Sequence, residues 1–196
     1  RGQIEIPLGL EAEYYPDIWD ELLPRLQDAG IEYLILGQHW LGNEQNEPGS
    51  AAATSDENIL RRYCHQVMDA LDTGKFTYIA HPDVLNFVGD RNDYKKHMRE
   101  LVCAAKQSGT PLEVNLLGMA SGRHYPNETF FEVVAEENCP VILGMDAHAP
   151  LFINGDNDLL GAWEPTHKTV RFGMAAECAV RAENVVENEG GIGYTA

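Results

Sequence analysis

Short apolar runs alternating with amphipathic helical stretches predict an α/β protein, either a β/α barrel or a doubly wound sheet built from right-handed crossovers. Two further observations sharpen this reading. Residues 4–10, 32–38, 76–81, 111–116 and 140–145 are continuous apolar runs rather than strict alternations, as in strands buried on both faces of a parallel sheet. Four of these five runs lead into a carboxylate or an imidazole: Glu11, His39, His81, and the pair Asp146 and His148. A chain of this kind reads as a metal site built around a barrel.

The elements follow in order. After the first run, Trp19, Leu22, Leu23 and Leu26 share one helical face, and Gly30 stands where that helix should stop. Thr54 and Glu57 have the spacing of a capping box ahead of the stripe Leu60, Tyr63, Cys64, Val67, Met68 and Leu71. Asp93 is placed to cap a third helix whose stripe is Tyr94, Met98, Leu101, Val102 and Ala105, closed by Gly109. Asn127 is placed to cap a fourth, carrying Phe130, Phe131 and Val134. Residues 42–53 and 151–167 are irregular and rich in Gly, Asn and Pro; they follow His39 and His148, where the active-site loops of an α/β protein belong.

Side chains two apart on a strand point the same way, so Asp146 and His148 converge at one strand end. A lone His after a strand is ordinarily structural. Five ligand-type residues at the equivalent point of four strands imply a shared ligand, because barrel chemistry sits at the C-terminal strand ends. Imidazole and carboxylate donors without thiolate suit Zn, Mn or Fe rather than Ca. His65 and His97 lie on helices and are expected to be solvated or structural, and His167 carries no assignment. Arg123 and His124 form a basic pair in the loop after the fourth run, and Arg123 is the candidate phosphate anchor.

Composition sets the outer limits. At 196 residues the chain can bury a core and is expected to form one domain, residues 1–196. The 31 acidic residues outnumber the 14 basic ones, giving a net charge of −17. Nucleic acid and anionic membrane are therefore not expected partners, whereas a small phosphorylated substrate held by a local cation is. Cys64, Cys103, Cys139 and Cys178 are far apart and read as buried thiols of a reducing compartment. No run approaches the roughly 20 apolar residues of a membrane span. No basic-then-apolar leader is visible, and a cytoplasmic location is expected.

Gly9-Leu-Glu11, Gly37-Gln-His39-Trp40, Ala80-His81-Pro82-Asp83, Glu113-Val-Asn115 and Gly144-Met-Asp146-Ala-His148, in that order, resemble the polymerase and histidinol phosphatase (PHP) superfamily. Gly-Leu-Glu followed by an acidic-Tyr pair, and Tyr125-Pro126 before a helix leading into Asp-Ala-His, resemble its histidinol-phosphatase branch. The resemblance covers about residues 4–150. It implies a distorted seven-stranded, TIM-like β/α barrel with up to three Zn, Mn or Fe ions. Its ligand positions carry over to Glu11, His39, His81, Asp146 and His148. The implied activity is metal-assisted hydrolysis of a phosphomonoester, histidinol phosphate of histidine biosynthesis in the first instance, with Asp146, His148 and Arg123 as catalytic candidates.

Two departures accompany the resemblance. The family's site begins with His-x-His on its first strand, and no such pair precedes Glu11. Truncation of the N-terminal quarter is the expectation, and with it weak metal binding and slow turnover by these 196 residues alone. Residues after about 163 match no family ending and receive no role. A PHP phosphoesterase for another substrate, such as a nucleotide or phosphotyrosine, and a degenerate non-catalytic module are the alternative readings. A metal-dependent amidohydrolase would want a Lys ligand, and the strand ends offer none.

Overall fold

Five strands, each four residues long, lie side by side in a parallel sheet: β1 (Gly9–Ala12), β2 (Tyr33–Leu36), β3 (Phe76–Ile79), β4 (Leu112–Asn115) and β5 (Val141–Gly144). The computed structural model describes residues 7–43, 48–146, 151–154, 156, 169–174, 178–181, 183–188 and 191–195. Spatial order follows chain order, β1-β2-β3-β4-β5. A doubly wound sheet reverses its order at a switch point, so this one-way winding is that of a TIM-like barrel wall. Gly9 pairs with Tyr33 and Ala12 with Leu36, and Leu36 pairs in turn with Ile79. Among the described residues β1 and β5 form the two edges.

The expected helices are present between the strands: α1 (Trp19–Asp28), α2 (Glu57–Asp72), α3 (Arg91–Ser108) and α5 (Glu128–Glu137). Their apolar stripes close over the sheet. Leu60, Tyr63 and Val67 of α2, Met98 and Leu101 of α3, and Phe130 of α5 are buried with Leu36, Ile79 and Leu112 of the strands. The start signals differ in detail. Asp56 rather than Thr54 caps α2, its carboxylate accepting from Asn58 N at 2.9 Å, while Thr54 Oγ1 accepts from Asp56 N. Asp90 rather than Asp93 caps α3, accepting from Asn92 N at 2.7 Å and Asp93 N at 3.2 Å. An acidic residue three positions into a helix and one at its cap look alike in sequence, and the backbone turn at Asp90 decides between them. Asn127 caps α5 as expected, through Phe130 N.

Two local departures bear on the site. Among the described residues the first strand is Gly9–Ala12, so Glu11 lies within the strand rather than past the end of the run; residues 1–6 fall outside the described set. Gly118-Met-Ala-Ser, read as loop, belongs to a short helix, α4 (Leu116–Ser121), started by Asn115 Oδ1 accepting from Gly118 N at 2.7 Å.

The chain divides into two compact units, Arg1–Val114 with His124–Gly144, and Asn115–Arg123 with Met145–Ala196. In the second, β6 (Leu151–Asn154), β7 (Thr169–Gly173) and β8 (Val180–Arg181) form a parallel sheet in that order. β9 (Glu183–Asn188) and β10 (Gly191–Thr195) pair antiparallel. Among the described residues of this unit, Leu116, Leu117 and Val180 pack together and are buried. Cys64 and Cys139 are buried and in no disulfide. Among the described residues no helix is long and apolar enough to cross a membrane.

Candidate metal centre

Three strand ends bring Glu11, His39 and His81 together. One potential ligand atom from each lies within 4.8 Å of the other two. Glu11 projects from β1 over the end of β2, where Gly37 has no side chain; a Cβ there would stand 2.0 Å from Glu11 Oε1. Glycine at 37 is thus required by the close approach of the carboxylate rather than by its own backbone angles.

His81 follows β3 and is 1% exposed. Its backbone is left-handed, φ 31°, and is held there from several sides. His81 N donates to Glu113 Oε2 at 2.7 Å, Val84 N donates to His81 O at 2.9 Å, and Tyr63 Oη donates to Pro82 O at 2.9 Å. Strained, over-determined backbone of this sort is found where a side chain must be aimed. His81 Nε2 stands 3.2 Å from Glu11 Oε1, while Nδ1 is buried with no hydrogen-bond partner among the described residues. Buried Glu113 itself fits only because β5 ends in glycine: a Cβ on Gly144 would lie 1.5 Å from Glu113 Oε1.

His39 follows β2, its ring centroid 4.7 Å from that of His81. Its Nδ1 is 3.3 Å from Glu13 Oε1. Hydrogen bonding to Glu13 raises the imidazole above its ordinary pKa despite partial burial, with charge from Glu13 and Glu11 adding to the effect. Asp83 is pushed up to about 7 by burial. One of its oxygens accepts from Asn127 N, and the other, Oδ1, is buried without a partner among the described residues. Beside the trio opens a recess of about 330 Å³, lined by Glu11, Glu13, Tyr15, Gly37 and His39 on its polar side.

The remaining sequence candidates are placed as follows. In the second unit Asp146 follows β5 with φ 41°, and Asn115 Nδ2 donates to its Oδ2 at 3.1 Å. Because Asn115 Oδ1 already accepts from Gly118 N, its amide is fixed at both ends. Arg123 is exposed after α4, its backbone N donating to Gly118 O. His148 and His167 lie outside the described residues. His124 in the first unit hydrogen-bonds through Nε2 to Val84 O at 2.7 Å. His65 is exposed, and buried His97 pairs with Glu57 Oε1 at 2.9 Å, a contact between α2 and α3.

No protein-family model matches the sequence. A Deinococcus radiodurans protein described as a probable histidinol-phosphatase is 28% identical over 158 residues, covering 76% of this chain and 60% of that protein. The crystal structure of histidinol phosphate phosphatase (HisK) from Lactococcus lactis, complexed with zinc, L-histidinol and phosphate, superposes with a TM-score of 0.54. That match covers 73% of this chain and 59% of the other, at 17% identity. The Listeria monocytogenes HisK protein gives 0.55 over 69% of this chain and 61% of its own, at 16% identity. The chain has the fold of the histidinol phosphatases. It spans about 60% of the length of the curated relative it matches.

Within this histidinol-phosphatase fold the trio fits a divalent ion by its donor chemistry. Ligand atoms about 2.0–2.1 Å from a tetrahedral zinc stand about 3.3 Å from one another, close to the 3.2 Å between Glu11 Oε1 and His81 Nε2. Sequence reasoning left Glu13 without a role, although it lies two residues beyond Glu11, and gave Glu113 none beyond its place in a motif. The signal for Glu113 was a carboxylate inside an apolar run, since a buried charge is kept only where donors satisfy it.

Proposed function

We propose that this chain carries the catalytic barrel of a metal-dependent phosphomonoesterase whose substrate is L-histidinol phosphate. The observation that supports this most is the convergence of Glu11, His39 and His81 within 4.8 Å on a histidinol-phosphatase fold. Likeness to a probable histidinol-phosphatase adds the substrate class.

Glu11, His39 and His81 would hold one Zn, Mn or Fe ion, with Asp146 and His148 assigned as further ligands. When bound, such ions supply positive charge to the phosphoryl oxygens and acidify water at neutral pH. The chain's own residues supply position. Glu113 fixes the backbone of His81, and Asn115 orients Asp146. Arg123 is assigned to the phosphate, where a planar guanidinium meets two oxygens at once. In the reaction a water oxygen forms a bond to phosphorus as the bond to the substrate alcohol breaks, and the alcohol leaves with a proton. Most of the rate enhancement is expected from positioning and charge stabilisation.

The test is metal content together with turnover of L-histidinol phosphate beside a generic aryl phosphate, on the purified full-length protein rather than on these 196 residues alone. Bound metal with strong preference for histidinol phosphate is the expected result. Equal turnover of the aryl ester overturns the substrate, and absence of both metal and turnover overturns the enzyme.

A further inference from the structure

We propose that Glu13 is the positioning residue of this centre, holding His39 in the tautomer whose lone pair is on Nε2. The inference rests on the metal-centre reading above and deepens it. His39 sits in the turn after β2 with its side chain 43% exposed, so core packing does not fix the ring. Glu13 Oε1 faces its Nδ1 at 3.3 Å, and its hydrogen bond outweighs the weaker one that the backbone of Gly37 makes to the ring. The other oxygen of the same carboxylate is fully engaged: Oε2 accepts from Trp40 N at 3.0 Å, from Tyr15 Oη at 2.9 Å and from Gln38 Nε2 at 3.3 Å.

Gln38 is in turn held in place. It is 1% exposed, accepts from Tyr14 N at 3.0 Å through Oε1 and donates to Trp40 O at 2.7 Å through Nε2. Gln66 of α2 ties the same two loops, donating to Tyr14 O at 2.7 Å and accepting from Gly42 N at 2.8 Å. The carboxylate therefore cannot turn, and its oxygens have separate tasks.

The tautomer follows from hydrogen-bond polarity. An ionised carboxylate only accepts, so Oε1 calls for a proton on Nδ1, and the neutral ring then carries its lone pair on Nε2. Carboxylates commonly orient metal-bound imidazoles in this way, and their loss typically lowers metal affinity 10–100-fold. The three donors on Oε2 also argue against a rival role. An oxygen already accepting three hydrogen bonds has little capacity left for a cationic substrate group.

Glu13→Gln gives a sharp test because the amide is not symmetric. Three donors at the Oε2 position demand the amide oxygen there, which turns the NH2 group toward His39 Nδ1. That ring nitrogen must then accept, the proton moves to Nε2, and the nitrogen intended for metal is blocked.

The experiment pairs cobalt(II) titration followed by visible absorption with ¹⁵N NMR of the His39 tautomer in the metal-free protein at alkaline pH. Thermal melting monitors the fold. Expected are an Nδ1–H tautomer in the wild type, an Nε2–H tautomer in Glu13→Gln, and cobalt affinity reduced about 10–100-fold with the melting transition retained. A purely structural Glu13 would not switch the tautomer. An Nε2–H ring in the wild type overturns the proposal, as does a Glu13→Gln protein that keeps both the wild-type tautomer and the wild-type affinity. Should Glu13→Gln fail to fold, the wild-type tautomer alone decides. A wild type that binds no cobalt defeats the metal reading separately, while the tautomer still judges Glu13.

Discussion

Gly37→Ala is expected to strip the centre of metal while leaving the fold standing. The new Cβ would lie 2.0 Å from Glu11 Oε1, 2.6 Å from Cδ and 2.7 Å from Cγ. Ordinary contact begins near 3.4 Å, so the carboxylate oxygen must retreat by about 1.4 Å. Glu11 has somewhere to go, because its side chain is 35% exposed and can swing toward solvent. The stability change should stay near that of an off-rotamer side chain, about 1 kcal/mol. The centre has no such freedom. Its 3.2 Å approach to His81 Nε2 is lost, and metal–ligand distances tolerate only about 0.2 Å. Affinity should fall by at least the roughly 10–100-fold that follows loss of an outer-shell partner. Zinc competition against a chromophoric chelator measures this, with thermal melting by circular dichroism as the control for folding. Unchanged zinc affinity in a folded Gly37→Ala protein would refute the assignment of Glu11, and a collapsed melting transition would refute the claim that its carboxylate is free to move.

Gly144→Ala should behave oppositely. Its Cβ would meet Glu113 Oε1 at 1.5 Å, and Glu113, 2% exposed, has no exit. Overpacking plus loss of the acceptor for His81 N predicts about 2–4 kcal/mol of destabilisation by urea denaturation; a midpoint equal to wild type would contradict it. Asp90→Ala should destabilise by about 1 kcal/mol through loss of the α3 cap, and Asp93→Ala by less, which denaturation of the two side by side will rank. Between α3 and α5, Lys95 and Arg91 hold Glu132 below the ordinary carboxylate value of 4.5, and Arg99 does the same for Glu136. A folded pKa below the unfolded one contributes stability above the unfolded value and loses it as pH falls through the folded value. The melting-temperature gap between wild type and a Glu132→Gln, Glu136→Gln double variant should therefore close from about pH 4.5 downward, and narrow with added salt. A gap that persists in acid would show that these pairs are not its source.

What the sequence determines here is local and periodic. Apolar runs marked the five strands of the wall, 3.6-residue stripes marked the buried faces of the helices between them, and Asn127 announced the start of α5. Ligand-type residues at the ends of those runs named Glu11, His39 and His81, because in a parallel sheet every strand delivers its C-terminal end to the same side. The strand order, which chose a barrel wall over a doubly wound sheet, came only from the tertiary structure. So did the approaches of Glu13 to His39 and of Glu113 to His81, pairs 26 and 32 residues apart in the chain respectively. Register sets those approaches, and it places a carboxylate of one strand over a glycine of the next: Glu11 over Gly37, and Glu113 beside Gly144. Periodicity tells a side chain which face to take. Only the packed sheet tells it which neighbour it will meet there, since a pairing across strands depends on two distant stretches of chain at once.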